Sequence, residues 1–270
     1  MSLQPRKNFG WIPQLPDHRD KLLKTMIPAV PVYEGPPLLD LSMEHKFHVM
    51  DQGNLGTCVL HATASALEFT HASVTKKTLR RELDFPVSRL FLYYEARKAI
   101  DTLGEDSGCN IRDAMRVLYN VGGPRESGWK YDESMFTVKP PAGAYRSAPY
   151  HKITSYQSVG VNLAEMRTAL INKMPIVIGV SVFDSWPMGL GQPVVPMPGN
   201  YESMIGGHAV LVVGYDDVQR RFKFLNSWGE EWGMGGFGFI PYDYAADPRF
   251  GDDYWVLTDT EYKENMTPST

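Results

Sequence analysis

Cys58 and Cys109 are the two cysteines of this 270-residue chain, and the first stands where a nucleophile would be placed. The loop Asp51-Gln52-Gly53-Asn54-Leu55-Gly56-Thr57 leads into Cys58, and Val59, Leu60, Ala62, Ala66, Leu67 and Phe69 then follow at the spacing of one helical face. Cys58 therefore falls at a helix N-terminus, where unpaired N–H groups and the macrodipole favour an anion and hence the thiolate. A free cysteine is more often a buried small hydrophobe, and the loop alone leaves the two readings even. Two later stretches decide between them. In Gly206-Gly207-His208-Ala209 two glycines leave room beside an imidazole at the head of a β-branched run, and Asn226-Ser227-Trp228-Gly229 closes the next short strand. A thiol nucleophile needs a base to take its proton and a third group to hold that base in one tautomer. Cys58, His208 and Asn226 supply those roles in that order. About 150 residues separate the first two and about 18 the last two, so the fold must bring them together.

These motifs resemble those of the papain-like cysteine peptidases, in a bacterial-type form. The likeness rests on Gln52 six residues before Cys58, on Gly207-His208-Ala209, and on Asn226-Ser227-Trp228-Gly229 with Trp232-Gly233 behind it. It spans about Leu38 to the end; His208 lies 150 residues past Cys58 and Asn226 168 past it, against about 130–150 for the His and Asn of that family. Three positions depart from the family pattern: Leu55 replaces its usual first Cys, Thr57 its Ser or Ala, and Val59 its Trp.

The resemblance implies an α+β fold in which a helical left domain faces an antiparallel β-barrel-like right domain across the active-site cleft. It implies that the Gln52 side-chain amide and the Cys58 backbone N–H form the oxyanion hole, and that Trp228 shields the Asn–His bond and lines a primed-side pocket. It places Ser107 and Gly108 near a wall of the cleft. Gly179, Gly206 and Ala209, with Gly207 beside them, fall where the family's second-residue pocket would be. Small wall residues there predict a roomy apolar pocket and a preference for a bulky apolar or aromatic side chain. Family members are also made with an N-terminal segment that blocks the cleft. With Leu55 in place of a cysteine, a bridge beside the nucleophile cannot form, and Cys58 and Cys109 have only each other.

The elements that must position these residues are legible in part. Ser88 caps a helix carrying Leu90, Phe91, Tyr94 and Ala99 and ended by Gly104; Asn110 with Asp113 opens another, closed at Gly122. Asn162 with Glu165 makes a capping box ahead of Leu163, Met166 and Leu170, and Lys173-Met174-Pro175 stops that helix. Strands are predicted over 176–183, 208–215, 221–225, 236–240 and 253–257, with Asp216-Asp217 as a turn. The organisation expected is an extension over 1–37, a mainly helical half over 38–128 carrying the nucleophile, and a mainly β half over 129–270 carrying His208 and Asn226. The segment 184–203, rich in Pro, Gly and Met, is too long for a tight hairpin and either shapes the cleft or sits on the surface. Gly233–Gly238 lacks the strand-before, helix-after setting of a phosphate loop and is a glycine-rich turn instead.

Composition bounds the rest. A net charge of −4 without a basic run disfavours nucleic acid as a partner. No apolar run approaches the length of a membrane span, and no charged start followed by an apolar stretch marks a secretory signal. The compartment stays unassigned, cytoplasmic or exported by another route. His45 and His48 have no third ligand at metal-binding spacing, so they are taken as a solvated or satisfied pair, and neither metal nor organic cofactor is implied. Residues 1–37 are interrupted by proline, which favours extended backbone, and their Trp11, Leu15, Ile27 and Tyr33 would gain by packing. They form either a cleft-blocking pro-segment bound intramolecularly or a structural strap. The function expected is a monomeric cysteine peptidase acting on protein or peptide substrates through a thioester. Other acyl transfers on the same Cys-His-Asn set (deamidation, transamidation, deubiquitination) and a non-catalytic binding module are the alternatives.

Overall fold

In the computed structural model, which describes residues 8–31, 34–74, 86–189 and 191–262, the run after Thr57 is a helix, α1 (Cys58–Val74). Val59, Leu60, Ala64, Ala66 and Leu67 are fully buried on it, and so are Thr63 and Glu68, which makes α1 a central helix buried all round. Its hydroxyls are satisfied one turn back, Thr63 on the Val59 carbonyl and Thr70 on that of Ala66. Glu68 accepts from the Val87 amide at 2.8 Å and from Arg89 Nη1 at 2.5 Å. This pair, with both side chains out of solvent, clamps the start of α2 (Arg89–Ala99) onto α1. A buried charge is tolerated only with such partners.

The predicted caps are present. Ser88 Oγ accepts from the Phe91 amide, Asn110 Oδ1 from that of Asp113 at the start of α3 (Ile111–Asn120), and Gly122 leaves α3 at a φ of +87°. The second helix stops before Gly104: Asp101 turns into left-handed backbone, and Arg97 takes the Leu103 and Glu105 carbonyls. After the short α4 (Ala142–Ser147), Asn162 caps α5 (Leu163–Ile171), while the Glu165 carboxylate reaches the Gly160 amide at 2.8 Å. A last short helix is α6 (Tyr242–Ala245).

Strands β3 (Ile176–Phe183), β5 (Arg221–Leu225) and β6 (Phe237–Pro241) lie close to their predicted spans, while β4 (Met204–Asp216) and β7 (Gly251–Tyr262) run longer. Two strands were not expected, β1 (Leu38–Asp40) and β2 (His151–Ser158). All join one antiparallel sheet ordered β2-β7-β3-β4-β5-β6, with β1 also on β4. Its ends, β2 and β6, do not pair, so the sheet is open and the expected barrel-like closure is absent. The α1 helix packs across β4 and β7. In the β3/β4 register Gly179 pairs with Ala209, Val180 with His208 and Ser181 with Gly207, and on the other side Gly179 pairs with Asp252 of β7. A register shift follows in that ladder, and there Asp253 takes a φ of 60°. Bulges of this kind turn a side chain out of line, and Asp is among the few residues that accept left-handed backbone.

Candidate active site

Cys58 opens α1 as expected and is fully buried. The backbone N–H of Ala209, next to His208 on β4, donates to its Sγ at 3.4 Å. Burial pushes the thiol pKa up, against the Ala209, Gly10 and Val59 amides and its own N–H, which favour the thiolate. His208 Nε2 lies 2.8 Å from Asn226 Oδ1, which also accepts from the Ser227 amide at 2.9 Å. That backbone donor fixes Oδ1 as an acceptor, so the imidazole donates from Nε2 and Nδ1 is its basic nitrogen. Trp228 stacks on the ring, centroids 4.9 Å apart. Trp186 meets the same ring edge-on at 6.3 Å, so the 184–203 segment does shape this site. Nothing in the sequence marks Trp186 out among six tryptophans.

Gln52 is held from both ends. Ser227 Oγ donates to its Oε1 at 2.5 Å, so its Nε2 hydrogens face the Leu55 carbonyl at 2.8 Å and the Asn8 carbonyl at 3.1 Å. The two loops are tied by backbone as well, the Gln52 amide on the Ser227 carbonyl and the Gly229 amide on that of Met50. Tyr131, unremarked in the sequence, donates to the Gln52 carbonyl at 2.8 Å and bonds Thr57 Oγ1 at 2.7 Å. Ser227 and Tyr131 thus hold the loop that presents the amide.

On the wall expected at Ser107 and Gly108, the strap meets Gly108 and Cys109. Ser107 turns its hydroxyl into its own loop, to Thr102 and the Gly108 carbonyl, and the backbone that pairs across the cleft belongs to Cys109. Its amide donates to the Gly10 carbonyl at 2.9 Å and its carbonyl accepts from the Ile12 amide at 3.1 Å, while Gly108 gives way to Gly10, whose O would lie 2.3 Å from a Cβ there. Because only main-chain atoms take part, the residue type carries no signal. Cys58 and Cys109 are both free and buried.

The partner of this wall is the chain's own extension. The Trp11 amide donates to the Gly207 carbonyl at 3.1 Å, and Phe9 lies against Gly206. The Trp11 ring fills the space beside Gly179 and Gly207: a Cβ at Gly179 would stand 2.1 Å from its Cε2. Ala209, the cross-strand partner of Gly179, contributes its amide to Cys58. The pocket is not purely apolar, because the indole N–H ends on Asp253 Oδ2 at 3.0 Å, with the Gln14 amide on the same oxygen at 2.8 Å. Asp253 is 5% exposed, and desolvation raises its pKa to about 7. Beyond the cleft the extension is tied down by the Arg112–Asp20 ion pair at 2.5 Å, by the Ser158 amide on the Lys21 carbonyl, and by the Val30 amide on Thr168. Ile27 packs on the core, Leu15 is exposed, contrary to expectation, and Tyr33 lies outside the described residues. Of the His45 and His48 pair, His45 is wedged edge-on between Phe47 and Phe69, so it is not solvated, and its burial brings the pKa down to about 4.

A family model described as papain family cysteine protease matches residues 36–247. An uncharacterised peptidase C1-like protein of Acanthamoeba polyphaga mimivirus is 33% identical, covering 93% of this chain and 86% of its own. Cathepsin J of Mus musculus is 28% identical over 73% of this chain and 57% of its own. Among solved structures, xylellain, a cysteine protease from Xylella fastidiosa, superposes with a TM-score of 0.84 at 32% identity over 98% of this chain and all of its own. A digestive procathepsin L 3 from Tenebrio molitor shares the fold at a TM-score of 0.65 and 18% identity, over 89% of this chain and 76% of its own.

Proposed function

The chain belongs to the papain family of cysteine proteases and is a cysteine-type peptidase, and we propose that it hydrolyses peptide bonds through Cys58, His208 and Asn226. The Cys58 thiolate attacks the scissile carbonyl, and the imidazolium of His208 protonates the leaving amine from Nδ1. Water activated by the same nitrogen then hydrolyses the thioester. Asn226 holds the ring by accepting from Nε2, and the Gln52 amide with the Cys58 N–H stabilises the oxyanion. The observation that carries this is the His208–Asn226 bond at 2.8 Å under Trp228, with the neighbouring Ala209 amide on Cys58 Sγ. Titration with a thiol-specific epoxide followed by peptide mapping tests it. Labelling of Cys58 with matching loss of peptidase activity is expected, and labelling of Cys109 alone would overturn it.

The same reading makes residues 8–11 an intramolecular inhibitor. What supports it is the two-sided backbone pairing of the strap, with Gly207 on one wall and Cys109 on the other, and the approach of Gly10 to Cys58. The strap keeps the thiol dry, which favours its unreactive protonated form.

Asp253 shapes both substrate choice and pH response. A side chain that enters the Trp11 pocket without a donor at its far end leaves a desolvated carboxylate unpartnered. Tryptophan, arginine and lysine are therefore expected to be favoured over phenylalanine and leucine at that position. A peptide library in which leucine leads there would overturn this. The carboxylate has a higher pKa under the strap than its ordinary value of 3.8, so the closed form holds the proton more tightly. Inhibition is then strongest below about pH 4 and is lost as pH rises through about 7. Asp252 adds to the rise, while the Gln14 amide, the Trp11 indole and Arg112 oppose it. The apparent KM should fall between pH 5 and 8 in the native chain and lose that slope in Asp253→Asn. A KM that rises with pH would exclude this latch.

A further inference from the structure

Beside Asn226 lies a cavity of about 10 Å3 whose walls include His48, His61, Ala209 and Asn226. That is room for one water molecule. Three buried nitrogens on these residues have no protein partner: His48 Nε2, His61 Nε2 and Asn226 Nδ2.

Their hydrogen-bonding characters are fixed by their other contacts. Asn226 Oδ1 takes the Ser227 amide, a donor that cannot reverse, so the nitrogen facing the cavity carries two hydrogens. His61 Nδ1 stands 3.0 Å from the Thr57 carbonyl, which only accepts, so Nδ1 bears the proton and Nε2 the lone pair. Burial keeps this histidine neutral, with a pKa down at about 3, and the tautomer therefore holds throughout the neutral range. A pure donor and a pure acceptor thus border a space of one water, and a water needs two to four such partners.

We propose that one water held in this cavity accepts from Asn226 Nδ2 and donates to His61 Nε2, making His61 a positioning residue for the Asn226 amide. This rests on Asn226 acting as the orienter of His208. His61 lies one turn into α1 from Cys58, and its Nδ1 is bonded to the residue just before Cys58. The helix that sets the nucleophile therefore also holds, through His61 and the water, the group that sets the base. The alternative amide orientation would oppose donors to His208 Nε2–H and to the Ser227 amide.

Three measurements on the full chain test this. A high-resolution crystal structure should show a water within about 3.2 Å of both nitrogens, and 15N spectra should show His61 Nε2 unprotonated from pH 5 to 8. His61→Leu should lower kcat about tenfold, the equivalent of one hydrogen bond. Its KM should be unchanged, and the alkaline limb of its kcat–pH profile should move to lower pH, because a loosened Asn226 supports the imidazolium less well. His61→Gln, which restores an acceptor, should recover most of the loss. A dry cavity, a protonated Nε2, or His61→Leu with wild-type kcat and pH profile overturns the proposal. Absence of turnover in the wild-type chain would instead count against the peptidase assignment of the triad, while the water and tautomer measurements still decide the site.

Discussion

Cys58→Ala and His208→Ala are each expected to cut peptide turnover by about 10⁴-fold or more, because nucleophile and base act as one unit and either loss removes the whole thioester route. Cys58→Ala removes one sulfur from a site closed by the Ala209 amide and the extension, so the fold should persist. His208→Ala leaves a gap beneath Trp228 and beside Trp186, and its fold needs checking by circular dichroism alongside turnover. Asn226→Ala should lose less, since Trp228 still stacks on the imidazole and restricts its rotation. Double substitution at 58 and 208 should be no worse than either alone. A folded Cys58→Ala enzyme that cleaves fluorogenic peptides at the wild-type rate would remove Cys58 from the mechanism.

The parts of this site that the sequence makes legible are those in which a side chain acts on its own neighbourhood. Ser88, Asn110 and Asn162 each cap a helix with an amide three residues on, and the Cys58 helix and the strand carrying His208 declare themselves through apolar spacing. What escapes depends on distant or main-chain partners. β2 buries His151 and Gln157 on its inner face, so its alternation does not look apolar, and β1 is only three residues long. Cys109 pairs across the cleft through N–H and C=O alone. Asp253 enters the pocket through a bulge in β7 and meets Trp11, a contact 242 residues apart in the chain. Gly179 and Gly207 do announce a pocket, but not that the chain fills it with its own tryptophan.

Trp11→Ala, in the otherwise intact chain, is expected to release the cleft. The ring is 6% exposed, fills the space that Gly179 and Gly207 leave, and spends its N–H on Asp253. Truncating a buried tryptophan costs about 3–5 kcal/mol. At about 1.36 kcal/mol per tenfold, the strap's closing equilibrium should weaken by roughly 10²- to 5 × 10³-fold. On this reading residues 8–14 move for substrate to enter, since the Ile12 and Gln14 amides also occupy the Cys109 carbonyl and Asp253, while the Arg112–Asp20 pair and the bond from Val30 to Thr168 hold the following segment in place. If the strap inhibits in this way, opening is expected to require no cleavage, and the displaced segment should compete again. An intramolecular competitor divides substrate affinity by the open fraction and leaves the chemical step alone. The gain should thus appear as a lower apparent KM with kcat unchanged, up to the point where the chain is mostly open. Gly179→Val would also evict the ring, but it narrows the pocket that substrate needs, so it should raise KM even as the strap leaves. Comparing initial rates of the two variants with the native chain on one small fluorogenic peptide separates the effects. If folded Trp11→Ala keeps the native KM, residues 8–11 do not compete with substrate and serve as a structural strap.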